Sequence, residues 1–429
     1  MFLTSLFEGN ERYWEDRTPI ITFPLFNDDG MQIEIFLPSM IFWVQNLIML
    51  YIGILFISMP IAWIMYKYVI VEKSKGGDRE NNPSTNKGQR RLNMNSAIVV
   101  FGGIVPFLLS VPYFLIKKLE LKNINLKFAA SMFPVTIILL LVEALHDYSP
   151  RGVESSLKQY LIYYSLPGTT PMIVDQKYVP VRNKASIYLA LYEVLKWPLI
   201  IVFQLSIQES FDYRPFGSSP DTAVAHNLYD DIAQMFNLRK ICDDFFYASI
   251  LQSVLSFFTS VFAFLTQLQL GYKTIVTMNN PLFGATSPSD FWGRRWNLFV
   301  HGLLKRSVFK PTYHHSSSKL AAVIASFFVS GIWHEWILHI LSFDIAYTPS
   351  YGRTTLFFVF NGLLVIIEQL TKGWKIITLM KKILPKPIIT FMVILCVLPV
   401  THWFCDEYRN IGYLESVSTG FPIFKLSRR

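Results

Sequence analysis

The sequence predicts an all-α, polytopic membrane protein with about eight transmembrane helices and accompanying interfacial helices. Three observations lead there. Hydrophobic residues make up 52% of the 429 positions and charged residues only 16%, against roughly a quarter charged in an ordinary soluble chain. The mean hydropathy is +0.34. Eight stretches approach the about 20 apolar residues that a helix needs to cross the hydrocarbon core.

Those stretches are 40–66, 96–116, 128–145, 186–207, 245–270, 319–342, 354–371 and 388–404, of which the third, seventh and eighth are short. Segments around 160–175 and 290–304 read as re-entrant or interfacial helices. The chain divides into an N-terminal segment 1–39, a membrane domain 40–404 with its informative core at 281–342, and a tail 405–429. Glu8, Glu11, Glu15 and Asp16 stand among scattered apolar residues at the start. A secretory signal would have a basic stretch and then a compact apolar one, so the first long apolar segment is expected to act as the insertion signal.

Lys and Arg favour cytosolic loops. Loops 67–95, 146–185, 271–318 and 372–387 are basic and fall on one side of an eight-span topology, whereas 208–244 on the other side is acidic. Loop 67–95 is polar and low in complexity, and is expected to be disordered. Residues 117–127 disagree: Lys117, Lys118, Lys122 and Lys127 lie on the side expected to be poor in lysine.

The net charge of +9 is spread over these loops, which argues against a nucleic-acid partner and for a bilayer with a basic cytosolic face. Cys242, Cys396 and Cys405 form no CxxC pair and imply no disulfide framework.

The chemistry concentrates between Pro281 and His339. In the helix predicted over 319–342, Ser330, Gly331, His334, Glu335 and His339 interrupt an apolar run. Ionisable residues inside a membrane helix mark functional sites by default. At 1.5 Å per residue, His334 lies roughly 22 Å beyond Lys319. A neutral imidazole at that depth can serve as a general base for a hydroxyl. The bland alternative is a hydrogen bond between helices. HEWILH is not the zinc motif HExxH, because His334 and His339 are five apart rather than four.

Upstream, Pro288, Ser289 and Asp290 look like a helix start, with Ser or Asp as the cap. Trp292, Trp296, Phe299, Val300 and Leu303 then follow helical spacing. Arg294, Asn297 and His301 are expected on a second face of that one helix, suited to an anionic ligand. Taken alone, this segment reads rather as an interfacial anchor whose arginines meet lipid phosphates.

Together, FWGRRWN followed by SGIWHEW resembles the membrane-bound O-acyltransferase family in its wax synthase-like branch. A sister branch acting on diacylglycerol and sterols carries a similar segment before S-A-x-x-H-E. The resemblance covers about 60 residues. It implies a tunnel inside the membrane domain where an acyl group passes to a hydroxyl. It also implies catalytic roles for His334 and Asn297, and acyl-CoA contacts at Trp296, His301, Lys319 and Ser330. Arg294 is a further candidate for the CoA phosphates. Implied substrates are acyl-CoA, as co-substrate with no other cofactor and no metal, and a long-chain alcohol or diacylglycerol. The product would be a wax ester or triacylglycerol, and the location the endoplasmic reticulum. Two other readings stay open at this point: a sterol or other secondary alcohol as acceptor, and a proton-coupled transporter using His334 and Glu335 as a relay.

Overall fold

The computed structural model describes residues 19–24, 31–38, 43, 50–70, 94–166, 168–210, 228–345 and 347–428. Most of the loop expected to be disordered, 67–95, lies outside the described residues.

Among them, seven helices are long and apolar enough to cross a membrane, and eight if one bent pair counts as a span. Those lying within the first half are α1 (Leu50–Met65), α2 (Val105–Leu119, the end of a span from Asn95), α3 (Ile124–Leu145) and α5 (Lys184–Ser210). Between α3 and α5 comes α4 (Leu157–Tyr164), followed by a two-stranded ladder. The 160–175 segment is therefore a short helix and a turn rather than a longer interfacial helix.

The second half begins with α6 (Leu238–Leu270). Three short helices follow: α7 (Pro288–Arg294), α8 (Leu298–Leu304) and α9 (Lys310–Ser316). Then come α10 (Lys319–Ser342), α11 (Arg353–Thr371), α12 (Lys375–Ile383), α13 (Lys386–Val397), α14 (His402–Asn410) and α15 (Tyr413–Ser418). The bent pair runs from Lys386 to Val400 and from His402 to Asn410, turning by 58°. Pro399 stands inside this bend, where it cannot donate to a continuing helix.

Apolar side chains face outward as well as inward. On α5, Tyr188, Leu189, Leu195, Leu199 and Phe203 are exposed, a surface that only lipid tails solvate cheaply. The interior gathers on α3, α4, α6 and α10, where Leu140, Tyr160, Ile250 and Leu338 are buried together.

Two expectations change. Lys127 belongs to the first turn of α3, not to a loop; it is buried and its ammonium donates to the Phe343 carbonyl at 3.0 Å. One of the four awkward lysines is thus a cross-brace between spans. The stretch 405–429, read as a tail, folds into the body. Strand β5 (Ile423–Arg428) pairs antiparallel with β2 (Met31–Phe36), Ile33 opposite Leu426, and β1 (Ile21–Pro24) completes the sheet. Apolar residues such as Phe421 and Ile423 are buried there, a signal the sequence carried without a pattern long enough to read.

Candidate active site

Each polar position in the S-G-x-x-H-E stretch of α10 has a separate structural task. The Ser330 carbonyl lies 2.7 Å from His334 Nδ1. A carbonyl only accepts, so Nδ1 carries the proton and Nε2 keeps a bare lone pair. The ring is stacked on Phe358 at 4.5 Å and meets Phe404 edge-on at 5.4 Å. One hydrogen bond and two aromatic walls fix its orientation. Gly331 lets α11 approach: a Cβ there would come within 2.7 Å of Thr355 Cα. Small residues at such crossings are the usual means of close packing between membrane helices.

Glu335 reaches the start of α11. Its Oε1 accepts from the backbone N–H of Gly352 at 3.0 Å and of Thr355 at 2.9 Å, with the Thr355 hydroxyl at 3.3 Å. The first N–H groups of a helix have no partner within it, and a carboxylate there also meets the favourable end of the dipole. Gly352 at the N-cap has no side chain to do this. Glu335 therefore caps α11 from a neighbouring helix.

The second half of the site is broken where the sequence predicted one helix. Helix α7 is capped by Ser287, not by Ser289 or Asp290, and ends at Arg294. Asn297 adopts φ 40° and ψ 65° and opens α8, its Oδ1 accepting from Val300 N–H at 3.3 Å. Asn tolerates this left-handed geometry better than most residues. The surrounding backbone is held by nonlocal bonds, Leu298 N–H to the Thr277 carbonyl and Asn297 N–H to Met278 Sδ. The break overturns the expectation that Arg294, Asn297 and His301 share one helix face.

The consequence is a sorting of residues. Asn297 and His301 line an apolar cavity of about 410 Å³ that also receives Trp296, Ser330 and His334. The Asn297 carboxamide has its oxygen engaged by the cap, which leaves the NH₂ without a partner among the described residues. Arg294 and Arg295 instead donate to Asp290, each at 2.8 Å. Burial by itself would raise the Asp290 carboxyl, but hydrogen bonds from Arg295, Arg294 and Thr286 outweigh it and hold the group well below the usual carboxylate range.

Residues 276–360 match the membrane bound O-acyl transferase family. Over this segment the chain is similar to that family. Curated plant acyltransferases are similar to it over part of its length. It is 37% identical over 110 residues to a probable long-chain-alcohol O-fatty-acyltransferase 1, and 28% identical over 155 residues to a probable long-chain-alcohol O-fatty-acyltransferase 3. It is 30% identical over 148 residues to an acyl-CoA--sterol O-acyltransferase 1; all three are from Arabidopsis thaliana. The matches cover 24%, 33% and 32% of this chain, and 31%, 42% and 39% of the relatives. The chain thus spans well under half the length of these relatives.

The cavity has a charged mouth. Lys305 is exposed and lines it. It sits in a π-helical turn, Lys305–Phe309, between α8 and α9, and such turns recur at functional sites. Next to it, Arg306 Nε donates to the wholly buried Glu143 carboxylate of α3 at 2.8 Å, and Tyr164 donates to the same group at 3.3 Å. Burial, and then the charges of Lys305 and Arg306, push the His301 imidazole below its ordinary value. Lys319 and Arg294 are exposed and do not line the cavity.

Sequence reasoning missed part of the lining. Phe358, Phe404, Tyr408 and Tyr413 reach the cavity from α11, α14 and α15, and nothing near them in the chain announces it. Lys305 was legible, lying four residues beyond His301 in a helical run. The buried Trp333 Nε1–H and Tyr408 hydroxyl have no partner among the described residues. Buried donors left open along a cavity wall are where a ligand oxygen finds hydrogen bonds.

Proposed function

We propose that the protein is an acyl-CoA-dependent O-acyltransferase of the endoplasmic reticulum membrane that esterifies a long-chain alcohol. One observation carries the reading. His334 and Asn297, distant in sequence, line a single apolar cavity with a free ring nitrogen on one and a free amide NH₂ on the other. Relatives named for long-chain-alcohol O-fatty-acyl transfer support the acceptor class.

The acceptor hydroxyl gives its proton to His334 Nε2 as its oxygen bonds to the thioester carbonyl carbon. Negative charge moves to the carbonyl oxygen, where the Asn297 NH₂ donates a hydrogen bond. The C–S bond then breaks, the ester is released, and the thiolate of CoA takes the proton from His334. The apolar lining keeps water from competing with the alcohol. The anionic end of CoA is assigned to Lys305 at the mouth, since Arg294 is committed to Asp290 and Lys319 lies away from the lining. Glu335 has no reacting role in this scheme.

The test uses purified, folded protein with a long-chain acyl-CoA and fatty alcohol. His334→Ala should lower turnover by about 10²–10⁴-fold, the range for a general base. Undiminished turnover in a variant with normal thermal unfolding would end the assignment. A sterol is the second acceptor reading, favoured by the relative named for sterol acylation; supplying both alcohols in competition separates the two.

A further inference from the structure

Helix α12 is not used by the proposed reaction. Nine residues long, it extends about 14 Å, too short to cross a bilayer. No other described helix packs substantially along it. Leu379 and Ile383, four apart, share one face and are 54% and 67% exposed. Lys375 and Lys382, seven apart, border one edge of that face and are exposed too. Trp374, just before the helix, is 60% exposed. From Lys372 to Lys386 the sequence holds five lysines and no Asp or Glu.

Both ends of α12 are tied to apolar helices, α11 before it and α13 after it. Since α10 crosses the membrane and α11 returns, α12 lies on the side where Lys319 begins α10. That is the side of the basic loops. A helix held at the surface with an apolar face, a neighbouring tryptophan and a cationic edge has the form of an interfacial helix.

We propose that α12 is a binding surface for anionic lipid headgroups. Leu379, Ile383 and Trp374 enter the boundary between headgroups and acyl chains, and the lysines meet headgroup phosphates and carboxylates. A protein partner would have to supply both an apolar groove and an acidic rim. The bilayer supplies both at a distance the flanking helices already fix. Each lysine near an anionic membrane surface favours the contact by about fivefold, and salt weakens it.

Trp374 provides the readout. The full-length protein and its Trp374→Phe variant are placed in phosphatidylcholine nanodiscs. These contain the same fraction of brominated lipid, either phosphatidylcholine or phosphatidylserine. The difference in quenching between the two proteins belongs to Trp374. Phosphatidylserine should quench it about threefold more than phosphatidylcholine, in keeping with the attraction of several lysines. The excess should vanish in high salt, and in a variant carrying K372Q, K375Q, K382Q and K386Q. Equal quenching by the two lipids in the unaltered protein would overturn the proposal and leave the face to a protein partner. So would an excess that survives both high salt and the substitutions. Neither outcome depends on acyl transfer.

Discussion

Removing the Glu335 carboxylate separates a helix-capping role from a chemical one. In Glu335→Ala, the backbone N–H groups of Gly352 and Thr355 lose the acceptor at 3.0 and 2.9 Å. Each donor left open in a buried setting costs about 1–3 kcal/mol, and the lost interaction with the start of α11 adds about 0.3–1 kcal/mol. The expected destabilisation is about 2–7 kcal/mol. Glu335→Gln keeps an acceptor oxygen and loses only charge, so about 1 kcal/mol is expected. The effect on turnover follows the same path. Phe358, which stacks on His334 at 4.5 Å, rides on α11. Loosening the start of that helix removes a wall from the imidazole while its bond to Ser330 remains. Small misplacements of reacting groups cost up to about 10²-fold. For Glu335→Gln we expect kcat lower by about tenfold, an unchanged KM for acyl-CoA, and the pH profile of the parent protein. The assays are thermal unfolding in detergent and steady-state acyl transfer across pH. A Gln variant with unaltered unfolding but activity as low as that of His334→Ala would refute the reasoning and make the carboxylate a participant in proton transfer.

Gly331→Ala should lower the unfolding temperature, at a cost of about 1–3 kcal/mol as for other overpacked contacts, measured by thermal unfolding in detergent. Lys305→Gln should raise the KM for acyl-CoA more than that for alcohol, whereas Lys319→Gln should leave both near their starting values; equal effects of the two changes would move the CoA phosphates elsewhere. His301 has a folded-state value below its unfolded one of about 6.5, so the unfolded chain takes up the proton first. Its contribution to stability is present above that pH and fades as pH falls from about 6.5 toward the folded value. Unfolding temperatures measured from neutral to mildly acidic pH should fall more steeply for the parent than for His301→Gln.

Much of this architecture was legible because membrane helices announce themselves by length and apolarity alone. The span predicted at 319–342 coincides with α10, and that at 354–371 differs from α11 by a residue. The polar residues of α10 stood out against an apolar run, so His334 was easy to find. What stayed hidden depends on partners distant in sequence. The helix break at Asn297 is fixed by Thr277 and Met278, and helical spacing carried on through it. The role of Glu335 became readable only once the start of α11 lay beside it. Lys127 looked like a misplaced loop charge because its acceptor, the Phe343 carbonyl, is more than two hundred residues away. Charge counting sorted the loops by sign, but could not tell an arginine committed to Asp290 from a lysine open at the cavity mouth.

The close approach at Gly331 sets the spacing of two helices at the cavity. One methyl group, seated where this chain brings Thr355 Cα within 2.7 Å of the space it would fill, obliges the neighbouring helix to stand farther off. That helix carries the aromatic floor under the imidazole, so the residue at 331 acts as a shim between two walls. Changing its thickness by a single carbon alters the width of the cavity beside His334 without touching any of its polar side chains.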